Sequence, residues 1–217
     1  IRFADRVSIV LGARRDWTSA RSMGGPARRD SATTFRAGII GEVVEGVSPF
    51  FSYTESFEPI AGTASDGSAF IPKTGRQFEA GIKFHPTDAV LITVTGYDIR
   101  ESNRPVSDDS TPDPFDQIQI GKLNSRGIEF EGSASLPGKL TVIANASYNE
   151  AEIAGTDRQI DNVPKVNASL WTTKGFALGD DVSLLLGAGV RHVGKNRSFG
   201  PAFPDGIVTP SFTLVDA

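Results

Sequence analysis

Connections in this chain come in two lengths, and the two lengths alternate. Period-two runs of apolar and polar residues predict ten strands, at 6–16, 33–44, 48–57, 76–84, 90–100, 124–136, 139–150, 165–174, 182–193 and 210–217. Short links at 45–47, 85–89, 136–139 and 175–181 take turns with long ones at 18–32, 58–75, 101–122, 151–164 and 194–210. In an up-and-down antiparallel sheet every second connection lies at the same end. The alternation therefore gathers the short turns at one end and the long loops at the other, as in barrels that span outer membranes. A soluble β-sandwich has no reason to sort its loops by length.

The strand faces carry the same message. Phe78, Ala80, Ile82 and Phe84 share one face, and Gln77, Glu79, Gly81 and Lys83 the other. Ile128, Phe130, Gly132, Ala134 and Leu136 oppose Glu129, Glu131, Ser133 and Ser135. One oily and one polar face suits lipid outside and a wet lumen inside. A sandwich alternates equally well, so it stays open as a competitor. Strand length weighs against it, because membrane-crossing strands need roughly 9–11 residues and soluble ones average roughly 5–6. Trp17, Phe51, Tyr53, Phe84, Tyr97 and Tyr148 fall near strand ends and are candidates for interfacial girdles. The fold expected is all-β: part of an antiparallel up-and-down transmembrane β-barrel.

Composition closes off other classes. The net charge of −4 offers no basic surplus for a nucleic-acid backbone. With no cysteine there are no disulfides, thiolate metal sites or Cys nucleophile. No run of about 18 apolar residues occurs, so no transmembrane helix is predicted, and residues 1–3 (IRF) open no secretory signal. The final residues read as the middle of a strand, and the expectation is a piece of a longer protein, cut at both ends.

Catalytic chemistry is absent from the pattern. His85 and His192 have no ligand spacing, and no phosphate loop, nucleophile elbow or zincin motif occurs. Asp108, Asp109 and Asp113 lie in a Pro-containing loop, where a hard-cation site competes with a solvated acidic loop, the favoured reading. Neither an enzyme nor a bound cofactor is expected. Glu79 and Glu129 both fall on the polar face and would point into the lumen, where carboxylates need partners or water. Simple hydration in a wet pore and pairing with another group remain equally open on pattern alone.

Several stretches resemble TonB-dependent ferric-siderophore receptors, particularly the ferrichrome-receptor group. They are residues 49–59 (PFFSYTESFEP), 72–84 (PKTGRQFEAGIKF), 125–132 (SRGIEFEG), 162–165 (NVPK) with 168–171 (ASLW), 187–194 (GAGVRHVG) and 211–217 (SFTLVDA). These blocks keep family order over nearly the whole chain. The resemblance implies a 22-stranded barrel plugged by an N-terminal globular domain. It makes residues 1–217 about ten strands from the second half of that barrel, with the plug outside this chain.

It further implies an outer-membrane location and uptake of a ferric siderophore, hydroxamate type preferred. The partners implied are that siderophore as transported ligand, TonB through the missing N-terminal segment, the protein's own plug and outer-membrane lipid. In the family, barrel glutamates pair with plug arginines, and Glu79 and Glu129 resemble those positions. Arg197, Phe199 and Phe203, in the loop after 187–194, are candidates for touching an oxygen-rich chelate, although loop packing is the favoured explanation for them. Competing cargoes are haem, cobalamin or an oligosaccharide. A soluble β-rich binding module is the competitor from another class.

Overall fold

The computed structural model describes residues 2, 3, 6–21, 27–108, 110–113, 115–155, 158–200 and 203–217. Its strands are β1 (Arg2–Phe3), β2 (Val7–Arg21), β3 (Ala27–Gly41), β4 (Val47–Glu58), β5 (Lys73–Thr87), β6 (Val90–Ser107) and β7 (Gln117–Leu136). They continue with β8 (Leu140–Ile153), β9 (Val166–Ala177), β10 (Ser183–Val193), β11 (Asn196–Gly200), β12 (Phe203–Thr209) and β13 (Phe212–Asp216). Strands β1 to β10 and then β13 form one eleven-stranded sheet in chain order, and β11 pairs only with β12. Every pairing is antiparallel. No helix occurs among the described residues.

The ten expected strands are β2 to β10 and β13, and the meander order is the expected one. Two expectations need correction. Most of the long connections are themselves strand: β6 runs to Ser107 and β7 starts at Gln117, so the link read as 101–122 shrinks to 108–116. Alternation fades in those extensions because both faces meet polar surroundings, yet the hydrogen-bonded ladder persists from Ser102↔Lys122 up to Ser107↔Gln117. The link read as 194–210 holds the β11–β12 hairpin, whose Pro and Gly content hid it.

Turn chemistry fixes the short end. Asp88 and Ala89 form a two-residue link between Thr87 and Val90, which pair directly. Gly138 and Lys139 both take positive φ, 76° and 58°, to close β7 onto β8. Such tight turns lock the register, and in a period-two structure register decides which side chains face which way.

Register places one row after another on the polar face. One row runs Ser52, Glu79, Tyr97, Gly127, Asn149, and the next runs Phe50, Gly81, Thr95, Glu129, Ser147, Asn167. The opposite face carries Ile39, Phe51, Ala80, Gly96, Ile128, Tyr148 and Val166 in a third row. Tyr97 is thus on the polar face, not in a girdle on the apolar side. Tyr53 and Tyr148 do border the apolar band, each hydroxyl donating to the glutamate two residues on, Glu55 at 2.6 Å and Glu150 at 2.7 Å. An aromatic ring facing oil with its hydroxyl anchored in a charged belt is what an interface favours.

Among the described residues nothing packs on the apolar face, the buried apolar residues are Phe70, Leu123 and Ala151, and no large side chain is fully buried. Phe35, Ile82, Ile128 and Leu186 stay about half exposed, at 53%, 50%, 53% and 53%. A sandwich needs a second sheet over that face, and the remaining sheet is the two-stranded β11–β12. A single-layer wall with an uncovered oily face is stable only where lipid covers it.

Candidate functional site

Glu79 and Glu129 lie on the same polar face, in adjacent rows and two strands apart. The Glu79 carboxylate accepts hydrogen bonds from Ser52 Oγ at 2.8 Å and from the Gln77 amide. Glu129 faces Thr95 on one side and Ser147 on the other. Neither carboxylate makes an ion pair among the described residues. Tyr97 stands between them, directly opposite Glu79, with its ring over Gly127. A Cβ at Gly127 would lie 2.6 Å from Tyr97 Oη and 2.8 Å from Cζ. Phe50 covers Gly81 in the same way, with Cζ 2.6 Å from the position of a Cβ. These glycines let the rings lie against the wall; the Glu79 carboxylate is held along it by Ser52 and Gln77, and Glu129 is exposed.

The ring-over-glycine pairs went unpredicted. The signal that marks them is a glycine two positions from a charged residue on the same face, as in residues 79–81 (EAG) and 127–129 (GIE). The aromatic partner comes from the neighbouring strand and needs the register to be known.

At the long-loop end, residues 59–72 and 108–116 are tied together. Asp108 is buried, not solvated as expected, and its carboxylate accepts from Ser65 Oγ, Ser110 Oγ and the Ser110 N–H. These bonds hold the Asp108 carboxyl below the usual aspartate range, the Ser110 hydroxyl contributing most. Gln119 braces the same loops, accepting from Ile71 N–H and donating to the carbonyls of Ile71 and Asn103. Asp113 accepts from Phe115 N–H. Asp109 lies outside the described residues, and among those described no group of three His, Cys, Asp or Glu side chains is placed to hold a metal. His192 Nδ1 is 2.9 Å from Thr213 Oγ1, a partner across β10 and β13.

Arg197 and Phe199 sit on one face of the β11–β12 hairpin, above Gly206. The guanidinium carbons of Arg158 and Arg197 lie 4.9 and 5.9 Å from the centre of the Phe199 ring, within cation–π range. Asn162 ties this hairpin to the 154–165 connection, its N–H donating to Arg197 O at 3.0 Å and its Oδ1 accepting from Ser198 Oγ at 2.6 Å. The Phe203 backbone pairs with Gly200, and its side chain lies outside the described residues. Arg158 went unpredicted, since it occupies an irregular connection with no periodic neighbours.

A cavity of about 600 Å³ opens where β3 and β4 part company. Those strands pair only from Arg36 to Ile40 against Phe50 to Thr54. Beyond that point Glu55 reaches across and accepts from Phe35 N–H at 2.9 Å. Thr33, Phe57, Arg76, Arg100 and Lys122 are among its lining residues, and neither lumen glutamate is.

Comparison with known proteins bears on what such a wall belongs to. The family model described as TonB dependent receptor-like, beta-barrel matches residues 1–217. The ferrichrome outer membrane transporter/phage receptor of Escherichia coli K12 is 34% identical over 224 residues, covering 98% of this chain and 29% of the relative. The metal-pseudopaline receptor of Pseudomonas aeruginosa PAO1 is 29% identical, covering 100% of this chain and 32% of that one. The solved structure of Pseudomonas aeruginosa FpvA bound to heterologous pyoverdines superposes with a TM-score of 0.80 at 23% identity, over 99% of this chain and 30% of its own. The chain therefore spans about a third of the length of the relatives it matches. The register, the uncovered apolar face and the full-length family match agree: this chain belongs to the TonB-dependent receptor β-barrel family of the bacterial outer membrane.

Proposed function

We propose that the whole protein takes up a ferric siderophore across the outer membrane, hydroxamate type preferred, with energy delivered by TonB. Residues 1–217 supply part of the barrel wall, and a plug domain outside this chain fills the lumen. The observation that carries this reading is the pair Glu79 and Glu129 on one polar face, without an ion-pair partner among the described residues. A carboxylate held in that way takes an arginine by paired, directional hydrogen bonds, which suits orienting one domain inside another. The E. coli relative named above supports the cargo class.

In this reading the chelate binds at the long-loop end, between plug and loops. The braced segments 59–72 and 108–116 form part of a firm rim, and the Arg158–Phe199–Arg197 stack offers one aromatic and two cationic groups to an oxygen-rich ligand. TonB then acts on the plug, loosening its hold on the lumen carboxylates and opening a path. A second cargo reading has support in the metal-pseudopaline relative.

The test is a titration of the full-length receptor in detergent with ferric ferrichrome, other ferric siderophores, haem and cobalamin, followed by intrinsic fluorescence. Saturable quenching by a ferric hydroxamate, with no response to haem or cobalamin, is expected. Silence toward every ferric chelate from a folded receptor removes the siderophore and leaves the barrel.

A further inference from the structure

We propose that Arg191 is a third docking point on the lumen wall, and that it takes a carboxylate of the domain that fills the lumen. This rests on the plug reading above and assigns a residue to which that reading gives no role.

Three places on the polar face repeat one arrangement. Glu79 is two residues from Gly81, and Phe50 of the preceding strand, directly opposite that glycine, covers it. Glu129 is two residues from Gly127, which Tyr97 covers from directly opposite. Arg191 is two residues from Gly189, which Trp171 covers from directly opposite. A Cβ at Gly189 would sit 2.2 Å from Trp171 Cε3, and one at Gly187 would sit 2.9 Å from Cζ2, so the indole lies across both glycines. In each place a large ring is pressed to the wall beside a charged side chain; Glu129 and Arg191 are exposed, and Glu79 is half-buried with bonds from Ser52 and Gln77.

Arg191 is exposed, with Ser169 and Leu214 directly opposite it on the flanking strands. Asp216, the near acid on this face, stands diagonally across β10 and β13, and the two make no ion pair. Glu131 lies in the same row as Arg191, with Asn145 and Ser169 between them. That separates the two by three strand spacings, about 14 Å around the wall. Among the described residues the guanidinium thus makes no ion pair on its own wall, although Asp216 stands at diagonal distance. A body seated in the lumen meets Glu79 and Lys83 on β5, Glu129 and Glu131 on β7 and, apart from these, Arg191 on β10, which a carboxylate of that body complements. Opposite signs at separate points on the wall would fix the rotation of that body as well as its retention.

The experiment uses the full-length receptor in planar bilayers, with urea added to draw the plug and single-channel current as the readout. Heat-modifiable migration checks assembly of each variant. Glu79→Gln with Glu129→Gln should raise the open fraction, as the plug reading requires. Arg191→Gln should raise it about tenfold, as loss of one charged hydrogen-bonded contact implies, and Arg191→Lys should restore part of the closure.

If Arg191→Gln stays as closed as the wild type while the glutamate variant opens, the proposal is overturned and the plug reading stands. If neither opens, the plug reading fails and takes the proposal with it. If Arg191→Gln weakens only cargo binding, Arg191 faces the transport path and the proposal is overturned. Should Arg191→Gln not assemble, Arg191→Cys decides, in a receptor freed of any other cysteine; residues 1–217 contain none. Its reaction with an aqueous methanethiosulfonate should be slow with the plug seated and about tenfold faster in urea. Equal rates in both conditions overturn the proposal.

Discussion

The two faces of the β4–β10 wall obey opposite rules, though they are made from alternate residues of the same strands. On the apolar face side chains fill a band and ask only for oil: Ile82, Phe130 and Leu170 are exposed and have no polar work to do. On the lumen face the large rings of Phe50, Tyr97 and Trp171 are flattened over glycines, with the charged Glu79, Glu129 and Arg191 beside them. The first face tolerates any apolar shape and no charge. The second tolerates charge and is intolerant of shape at its glycines.

The largest effect that could break this contrast is a charge on the oily side. Ile82→Arg should cost roughly 2–4 kcal/mol near the middle of the band and reduce insertion. Thr95→Lys, on the lumen side beside Gly81 and Glu129, should leave insertion intact. Urea unfolding in micelles and heat-modifiable migration read both, and equal costs would erase the distinction between faces.

Shape comes next. Gly127→Ala puts a Cβ 2.3 Å from Tyr148 O and into the Tyr97 ring, and Gly81→Ala puts one 2.3 Å from Val94 O and into Phe50. Each should destabilise by about 1–3 kcal/mol through forced repacking. Gly121→Ala, on β7 beyond the band, meets nothing within 4 Å and should be neutral in the same unfolding assay.

A smaller effect belongs to the border. Tyr148→Phe keeps the ring and removes the bond to Glu150, so the smallest loss of stability in the same unfolding assay is expected at this exposed site.

The rim is tested by pH. The folded Asp108 carboxyl lies below its ordinary 3.8. Its contribution is therefore fully present above about 3.8, and it is lost as pH falls through the lowered folded value. Hydrogen exchange in 59–72 and 108–116 should quicken below pH 3.8 in the wild type. In Asp108→Asn it should be faster already at neutral pH, with little further change on acidification.

How much of this was legible in the sequence depends on which physical rule was in force. Where one face meets lipid, alternation is enforced, and β5, β7, β8 and β10 could be read nearly residue by residue. Where strands rise beyond the membrane, both faces are polar and the pattern disappears, so the upper parts of β6 and β7 read as loop although their ladder continues to Ser107↔Gln117. Glu79 and Glu129 were legible because a carboxylate in a period-two strand has a definite side. The rings over Gly81, Gly127 and Gly189 were not, because which aromatic faces which glycine follows from register, and register follows from turns whose lengths were read only approximately. Tyr97 was misassigned for that reason: its strand-end position suggested a girdle, and its pairing with Glu79 puts it in the lumen. The Asp108 brace was hidden because its partner Ser65 lies 43 residues away in another loop.

The most direct test of a two-faced wall is a nitroxide scan along β7 of the full-length receptor in membranes. Single cysteines would replace residues 128 to 135 in turn, in a background freed of any other cysteine; residues 1–217 contain none. Collision rates with oxygen, which concentrates in lipid, and with a water-soluble nickel chelate would be measured at each site. High oxygen access at 128, 130, 132 and 134 and low oxygen access at 129, 131, 133 and 135 is the predicted result. Access that is uniform along the strand, or in phase for the two reagents, would contradict a wall with lipid on one side and a polar lumen on the other.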